Sequence, residues 1–195
     1  LVSVDQASPG FDWEKPNAAK PRAGPAPGAL PKLNQVGSGS LAIPYGCKGG
    51  SYNTSALFLS AYSKTSNDPD LLYNGACSEG AYFEAALAGD DFAVITDVGV
   101  HDILNATSHK AFNWVNVVGS DNTFTQDAPV VTGHLYAVLI TKSDVRALYW
   151  IKVKSVTPRG PIEFDYAVRQ YELVSVDQAS PGFDWEKPNA PEPLA

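Results

Sequence analysis

Residues 1–18, LVSVDQASPGFDWEKPNA, recur without a change as residues 173–190. The likeness then fades rather than stopping. AKPRA at 19–23 answers PEPLA at 191–195 and keeps only its third and fifth residues. A drifting edge is the mark of natural tandem repeats, here with a period of 172 residues from Leu1 to Leu173. One such period suits a single domain plus a connector. The expected organisation is therefore a repeat seam at 1–18, a Pro/Gly-rich linker at 19–50, a β-rich globular domain at 51–176, and the second copy of the seam at 177–195. The chain contains no methionine, which fits an internal or processed piece of a longer array.

The linker expectation rests on Pro9, Pro16, Pro21, Pro25, Pro27, Pro31 and Pro44. Proline removes a backbone donor and fixes φ, and interspersed glycines disfavour a regular element. The stretch KPRAGPAPG at 20–28 favours extended, polyproline-like conformations and hence a semi-rigid spacer. Phe11 and Trp13, with their copies Phe183 and Trp185, are costly to leave in water, so they are expected to dock on a folded surface.

Beyond residue 51 short apolar segments alternate with turn residues. Strands are expected at 56–62, 82–87, 92–98 and 111–118, with 82–88 open to a short helix instead and a helical turn expected at 102–109. The last third reads as a three-stranded antiparallel meander at 134–141, 147–156 and 162–176. KSD at 142–144 and TPRG at 157–160 supply its turns. In the third strand Ile162, Phe164, Tyr166 and Val168 share one face, and Glu163, Asp165 and Arg169 the other. Many short strands without interleaved helices make the expected fold all-β and mainly antiparallel, a β-sandwich or partly open barrel preceded by a long extended linker.

A net charge of −7 argues against nucleic acid, whose phosphates demand a basic face. No apolar run is long enough for a membrane helix, so membrane insertion is not expected. Cys47 and Cys77 are the only cysteines. A disulfide between them closes a loop of about thirty residues, worth about 3–4 kcal/mol in the chain-entropy picture. Asn53-Thr54-Ser55 and Asn105-Ala106-Thr107 match the N-glycosylation pattern. Together these features place the protein outside the cell or on its surface.

Chemical motifs are sparse. His101, His109 and His134 lack the spacing of a metal-binding helix, and no nucleophile elbow accompanies them. Asn67-Asp68-Pro69-Asp70, Asp90-Asp91 and Asp121-Asn122 gather oxygen at turns, as calcium requires. Asx side chains in turns more commonly bond nearby amides. No catalytic or metal residue is assigned and no cofactor is expected, calcium being the one metal these loops would suit. Tyr149 and Trp150 are adjacent in a strand and point to opposite faces; one belongs to the core, and the other is either covered by the linker or free to stack on a sugar.

The repeat begins inside the final strand, so Leu1-Val2-Ser3-Val4 duplicates Leu173-Val174-Ser175-Val176. A single domain needs only one of these strand ends, and a spare one is free to add to an exposed sheet edge. Leu1, Val2, Val4, Leu173, Val174 and Val176, with Phe11, Trp13, Phe183 and Trp185 as anchors, are the expected contacts between units. The functional expectation is a non-enzymatic structural module whose partners are copies of itself, head to tail, in an extended array or fibre. The alternative is a multivalent carbohydrate-binding or adhesive module, and a secreted hydrolase comes third.

Overall fold

The computed structural model describes residues 23–75, 80–87, 91–108 and 123–174. Nine strands and two short helices follow one another in them. They are β1 Gly37–Leu41, α1 Tyr52–Ser55, β2 Ala56–Leu57, β3 Leu71–Asn74, β4 Tyr82–Ala85, β5 Phe92–Gly99, α2 Ile103–Ser108, β6 Asp127–Pro129, β7 Leu135–Lys142, β8 Val145–Val156 and β9 Ile162–Leu173.

Alternation in the sequence decides the layers. Along β7, Tyr136, Val138 and Ile140 face one way while Leu135, Ala137 and Leu139 face the other; β8 repeats this with Val145, Ala147, Tyr149, Ile151 and Val153 against Leu148 and Trp150. A strand apolar on both sides needs cover on both sides. A five-stranded antiparallel sheet, ordered β1-β9-β8-β7-β5, therefore packs one face against a four-stranded sheet, β2-β3-β4-β6. Ile103 and Ala106 of α2 pack on its other face, around Trp150. The architecture is a β-sandwich with a helix on its back, and neither sheet closes into a barrel. Each fully buried large side chain contributes about 1.5–3 kcal/mol of apolar burial; Trp150, Tyr73, Tyr136, Tyr149, Phe83 and Phe164 head that set.

The meander forms as expected, with β7 joined to β8 by the two-residue turn Ser143-Asp144 and β8 to β9 through residues 157–161. Arg159 takes the left-handed conformation (φ 59°) in that second turn, where the Gly160 N–H donates to the Thr157 carbonyl at 2.9 Å. The outward faces of Asp165 and Glu163 and the inward faces of Ile162, Phe164 and Val168 agree with the period-two reading. Tyr82–Ala85 is a strand rather than a helix, paired between β3 and β6. The expected helical turn at 102–109 is α2. The strand expected at 56–62 keeps only Ala56 and Leu57 in the ladder, because the chain then turns to place Ser60 on Asp70. The strand expected at 111–118 lies outside the described residues.

Within the segment 19–50, read from the sequence as linker, Gly37–Leu41 form an edge strand of the larger sheet, in register from Gly37↔Tyr166 to Leu41↔Ile162. Glycine is suited to this place because two aromatic rings occupy the space of its missing side chains. A Cβ on Gly37 would lie 2.8 Å from the Tyr166 ring, and one on Gly39 2.7 Å from the Phe164 ring. The partner strand supplies the packing that glycine lacks, the rescue of edge glycines by cross-strand aromatics.

Candidate assembly edge

Residues 1–18 recur from Leu173, the last residue of β9, so this strand end is the candidate contact. Leu173, the last residue of the strand, pairs with Val145, and the next residue, Val174, donates its N–H to the Asp144 carbonyl at 2.9 Å. Asp144 sits in the tight turn joining β7 and β8. Its carboxylate accepts the Ser63 hydroxyl (2.6 Å), the Lys64 N–H (2.7 Å) and the Thr65 hydroxyl (2.8 Å). Partial burial raises the carboxyl's pKa, but these donors outweigh it and hold the pKa below the usual range. One acidic side chain thus ties the loop after β2 to the turn that receives the seam. Tyr171 adds an apolar wall, its ring 5.6 Å from that of Tyr62.

The outer side of β9 is only half covered. β1 pairs with Ile162–Tyr166, and the Asn34 N–H reaches the Val168 carbonyl at 2.8 Å. At Arg169 the β8–β9 register shifts, since Tyr149 faces Val168 while Leu148 faces Gln170. This bulge turns the Arg169 guanidinium toward Asn34 Oδ1 (2.9 Å) and the Thr107 carbonyl (2.8 Å). Past it, among the described residues, no strand pairs with the outer side of residues 170–173. Leu173 is 55% exposed.

The proline-rich segment before β1 runs beside this edge. Ala23 bridges Leu57 in parallel fashion and accepts the Phe58 N–H at 3.1 Å, and the Gly28 N–H reaches the Ala61 carbonyl at 3.0 Å. Between this strap and the sheet lies a groove of about 310 Å³ lined by Pro25, Leu30, Pro31, Tyr149, Tyr166 and Val168. Leu30, which lines it, remains more than half exposed.

Of the residues expected to join units, the structure places Leu173 and Val174 at this edge. Leu1, Val2, Val4, Phe11, Trp13, Val176, Phe183 and Trp185 lie outside the described residues. Cys47 is buried, its sulfur 3.9 Å from the carbonyl oxygen of Gly75 and so beside the run leading to Cys77, which also lies outside them. No cysteine among the described residues is free. Asn53 and Asn105 are both exposed, in α1 and α2. Tyr149 and Trp150 do point to opposite faces, but both are buried, so neither offers a ring to a sugar.

The acidic loop 67–70 is organised around an internal cation: Lys142 donates to the Asp68 carbonyl and pairs with Asp70. Among the described residues no group of three or more acidic, histidine or cysteine side chains is arranged to hold a metal ion. His134 Nδ1 lies 2.8 Å from Asp97 Oδ2. Among the described residues no hydroxyl or thiol is hydrogen-bonded to its ring. His101 is exposed, its carbonyl accepting Lys152 Nζ, and His109 lies outside the described residues. The roles of Asp144, Arg169, Tyr62 and the Asp70–Lys142 pair were not read from the sequence. The turn position of Asp144 carried a signal, since Asx residues in turns bond neighbouring amides.

No family model, curated protein or solved structure matches the chain. The functional reading therefore rests on the repeat and on the geometry of this edge.

Proposed function

We propose that the protein is the structural unit of an extracellular tandem-repeat protein, joined to its neighbours through the seam to build an extended array or fibre. One observation carries this reading. The exact repeat begins at Leu173, the last residue of a strand whose outer side accepts no further strand over residues 170–173 among the described residues. In an array Leu1–Val4 is the end of the preceding unit's β9 and carries the same strand-end sequence, and strand addition along such an edge satisfies the N–H and C=O groups it leaves open. A head-to-tail contact of this kind propagates instead of closing. Phe11-Asp12-Trp13 would be the anchor, seated in the apolar groove of a neighbouring copy beside Leu30. The proposed Cys47–Cys77 disulfide and glycans on the exposed Asn53 and Asn105 agree with an extracellular setting. The role is structural and not catalytic.

A second reading, a glycan-binding module displayed in multiple copies, has one observation in its favour. Tyr45 and Tyr52 form an exposed ring pair with centroids 5.3 Å apart, a surface on which a sugar ring stacks.

Electron microscopy and sedimentation of a chain of two or more periods separate these. The array reading expects regular filaments with one sandwich per axial repeat, lost when Trp13 and its copies are changed to Ala while the sandwich stays folded. Monomeric particles at high concentration would sink it. Retention on a polysaccharide column that Tyr45→Ala abolishes would then favour the second reading.

A further inference from the structure

Lys142 closes β7, and its place in the alternation puts it on the same face as Tyr136, Val138 and Ile140, inside the sandwich. Asp70 immediately precedes β3 of the opposite sheet. The two side chains meet in the interior with exposures of 1% and 0%, and Lys142 Nζ stands 3.2 Å from Asp70 Oδ1. Asp70 is held from several directions. Its N–H donates to the Leu57 carbonyl (2.9 Å), and its own carbonyl accepts the Ala86 N–H (3.1 Å). Oδ2 accepts the Ser60 N–H at 2.7 Å and Oδ1 the Ser60 hydroxyl at 2.5 Å. Lys142 Nζ is fixed in turn by the Asp68 carbonyl at 3.0 Å.

A buried ion pair is expensive. Each charge loses several kcal/mol of hydration, which mutual attraction repays only in part. Two exits exist: proton transfer to a neutral acid and amine, or condensation that removes both charges. We propose that Lys142 and Asp70 condense into an intramolecular amide, a covalent cross-link between the two sheets formed by the folded protein itself.

The atoms balance without a co-reactant. The ammonium first passes one proton across the pair to Oδ1, leaving a neutral amine beside a neutral acid. The nitrogen lone pair attacks the carboxyl carbon, a C–N bond forms, and the negative charge goes to Oδ2, where the Ser60 N–H receives it as an oxyanion-hole donor would. A second nitrogen proton reaches Oδ1 through the Ser60 hydroxyl, the C–Oδ1 bond breaks, and water departs. The charge on Oδ2 collapses to the amide carbonyl and the third nitrogen proton stays as the amide N–H, so ammonium plus carboxylate gives one secondary amide and one water. Lys142 Nζ is held 3.2 Å from an oxygen of the carboxyl it would attack, and groups confined and oriented against each other reach effective molarities on the order of 10⁵–10⁸ M. Burial also pushes the Asp70 carboxyl above the usual carboxylate range, against the pull of Lys142 and Ser60, which favours the protonated acid that reacts. The cross-link is independent of whether units assemble, since both partners belong to one sandwich.

The test is the intact mass of the purified chain, measured after reduction and denaturation, followed by tryptic mapping. The expected mass is that of the sequence less one water. Trypsin should fail after Lys142, and a branched peptide should join Lys142 to Asp70. Lys142→Arg and Asp70→Ala should each restore the full sequence mass. The unmodified chain alone decides the matter, whether or not those variants fold. A full sequence mass, or a missing water that fragmentation assigns elsewhere, overturns the proposal.

Discussion

Gly39→Ala is the sharpest probe of how the edge strand is held. The added Cβ would lie 2.7 Å from Phe164 Cζ and 2.9 Å from its Cε2, whereas ordinary carbon contacts begin near 3.4–4 Å. Phe164 has no exposed surface, so its ring has nowhere to swing. Overpacking of this kind costs about 1–3 kcal/mol. Against it stands the gain of about 0.5–1 kcal/mol from replacing a glycine in a strand interior. The net expectation is a destabilisation of about 1–2 kcal/mol, visible as a lower urea midpoint at unchanged slope. Gly37→Ala is the internal comparison. Its Cβ meets the far end of Tyr166, a half-buried ring with room to yield, so its cost should be smaller. Combining Gly39→Ala with Phe164→Leu should show a favourable coupling, since the shorter side chain vacates the contested space. If Gly39→Ala proved neutral or stabilising, the account of β1 as a strand packed by its partner's rings would be wrong.

Acid should unfold the protein partly through Asp144 and Asp165. For Asp165, burial raises the pKa, but donors from Ser38 and Lys154 outweigh it; both carboxyls therefore sit below the unfolded value of about 3.9. Their contribution is complete above that value and is lost as pH falls through it toward the folded pKa values. Asp144→Asn with Asp165→Asn should flatten this acid limb in urea titrations, and an unaltered limb would refute the assignment. Tyr149→Phe removes the hydroxyl that donates to the Leu59 carbonyl at 2.8 Å in the interior; calorimetry should show a loss of about 1–3 kcal/mol. Expressed through a secretory pathway, the chain should carry glycans at Asn53 and Asn105, and Asn53→Gln and Asn105→Gln should each remove one step of a glycosidase mobility shift.

The meander was legible because its information is local. Period-two alternation in Ile162–Val168 and turn residues at 143–144 and 157–160 name both the strands and their partners. The smaller sheet was less so. Leu71-Leu72-Tyr73 is buried at every position, so it carries no alternation. Asp127–Pro129 is only three residues long and ends in proline. Gly37–Leu41 reads as a spacer because its packing belongs to Phe164 and Tyr166, over a hundred residues away. At the candidate edge, the repeat boundary marks Leu173 and Val174 in the sequence, and the structure shows them at the end of β9. The Asp70–Lys142 meeting was hidden, because no local pattern links residues that far apart. A lysine continuing the inward face of an apolar strand was the one available hint.

The pairing of β1 with β9 has a consequence for any chain that strings such periods together. Within one unit Gly37 meets Tyr166, 129 residues downstream. In a chain repeating every 172 residues, the following unit's copy of Gly37 lies only 43 residues beyond that same Tyr166. Loop closure favours the shorter span, so each β9 faces a choice between its own edge strand and its successor's. Taking the successor's would interlock adjacent sandwiches by domain exchange, the characteristic hazard of identical neighbours. In such a chain the span between Tyr166 and the next Gly37 would decide the outcome, because the nearer strand can be taken only if that span turns back far enough.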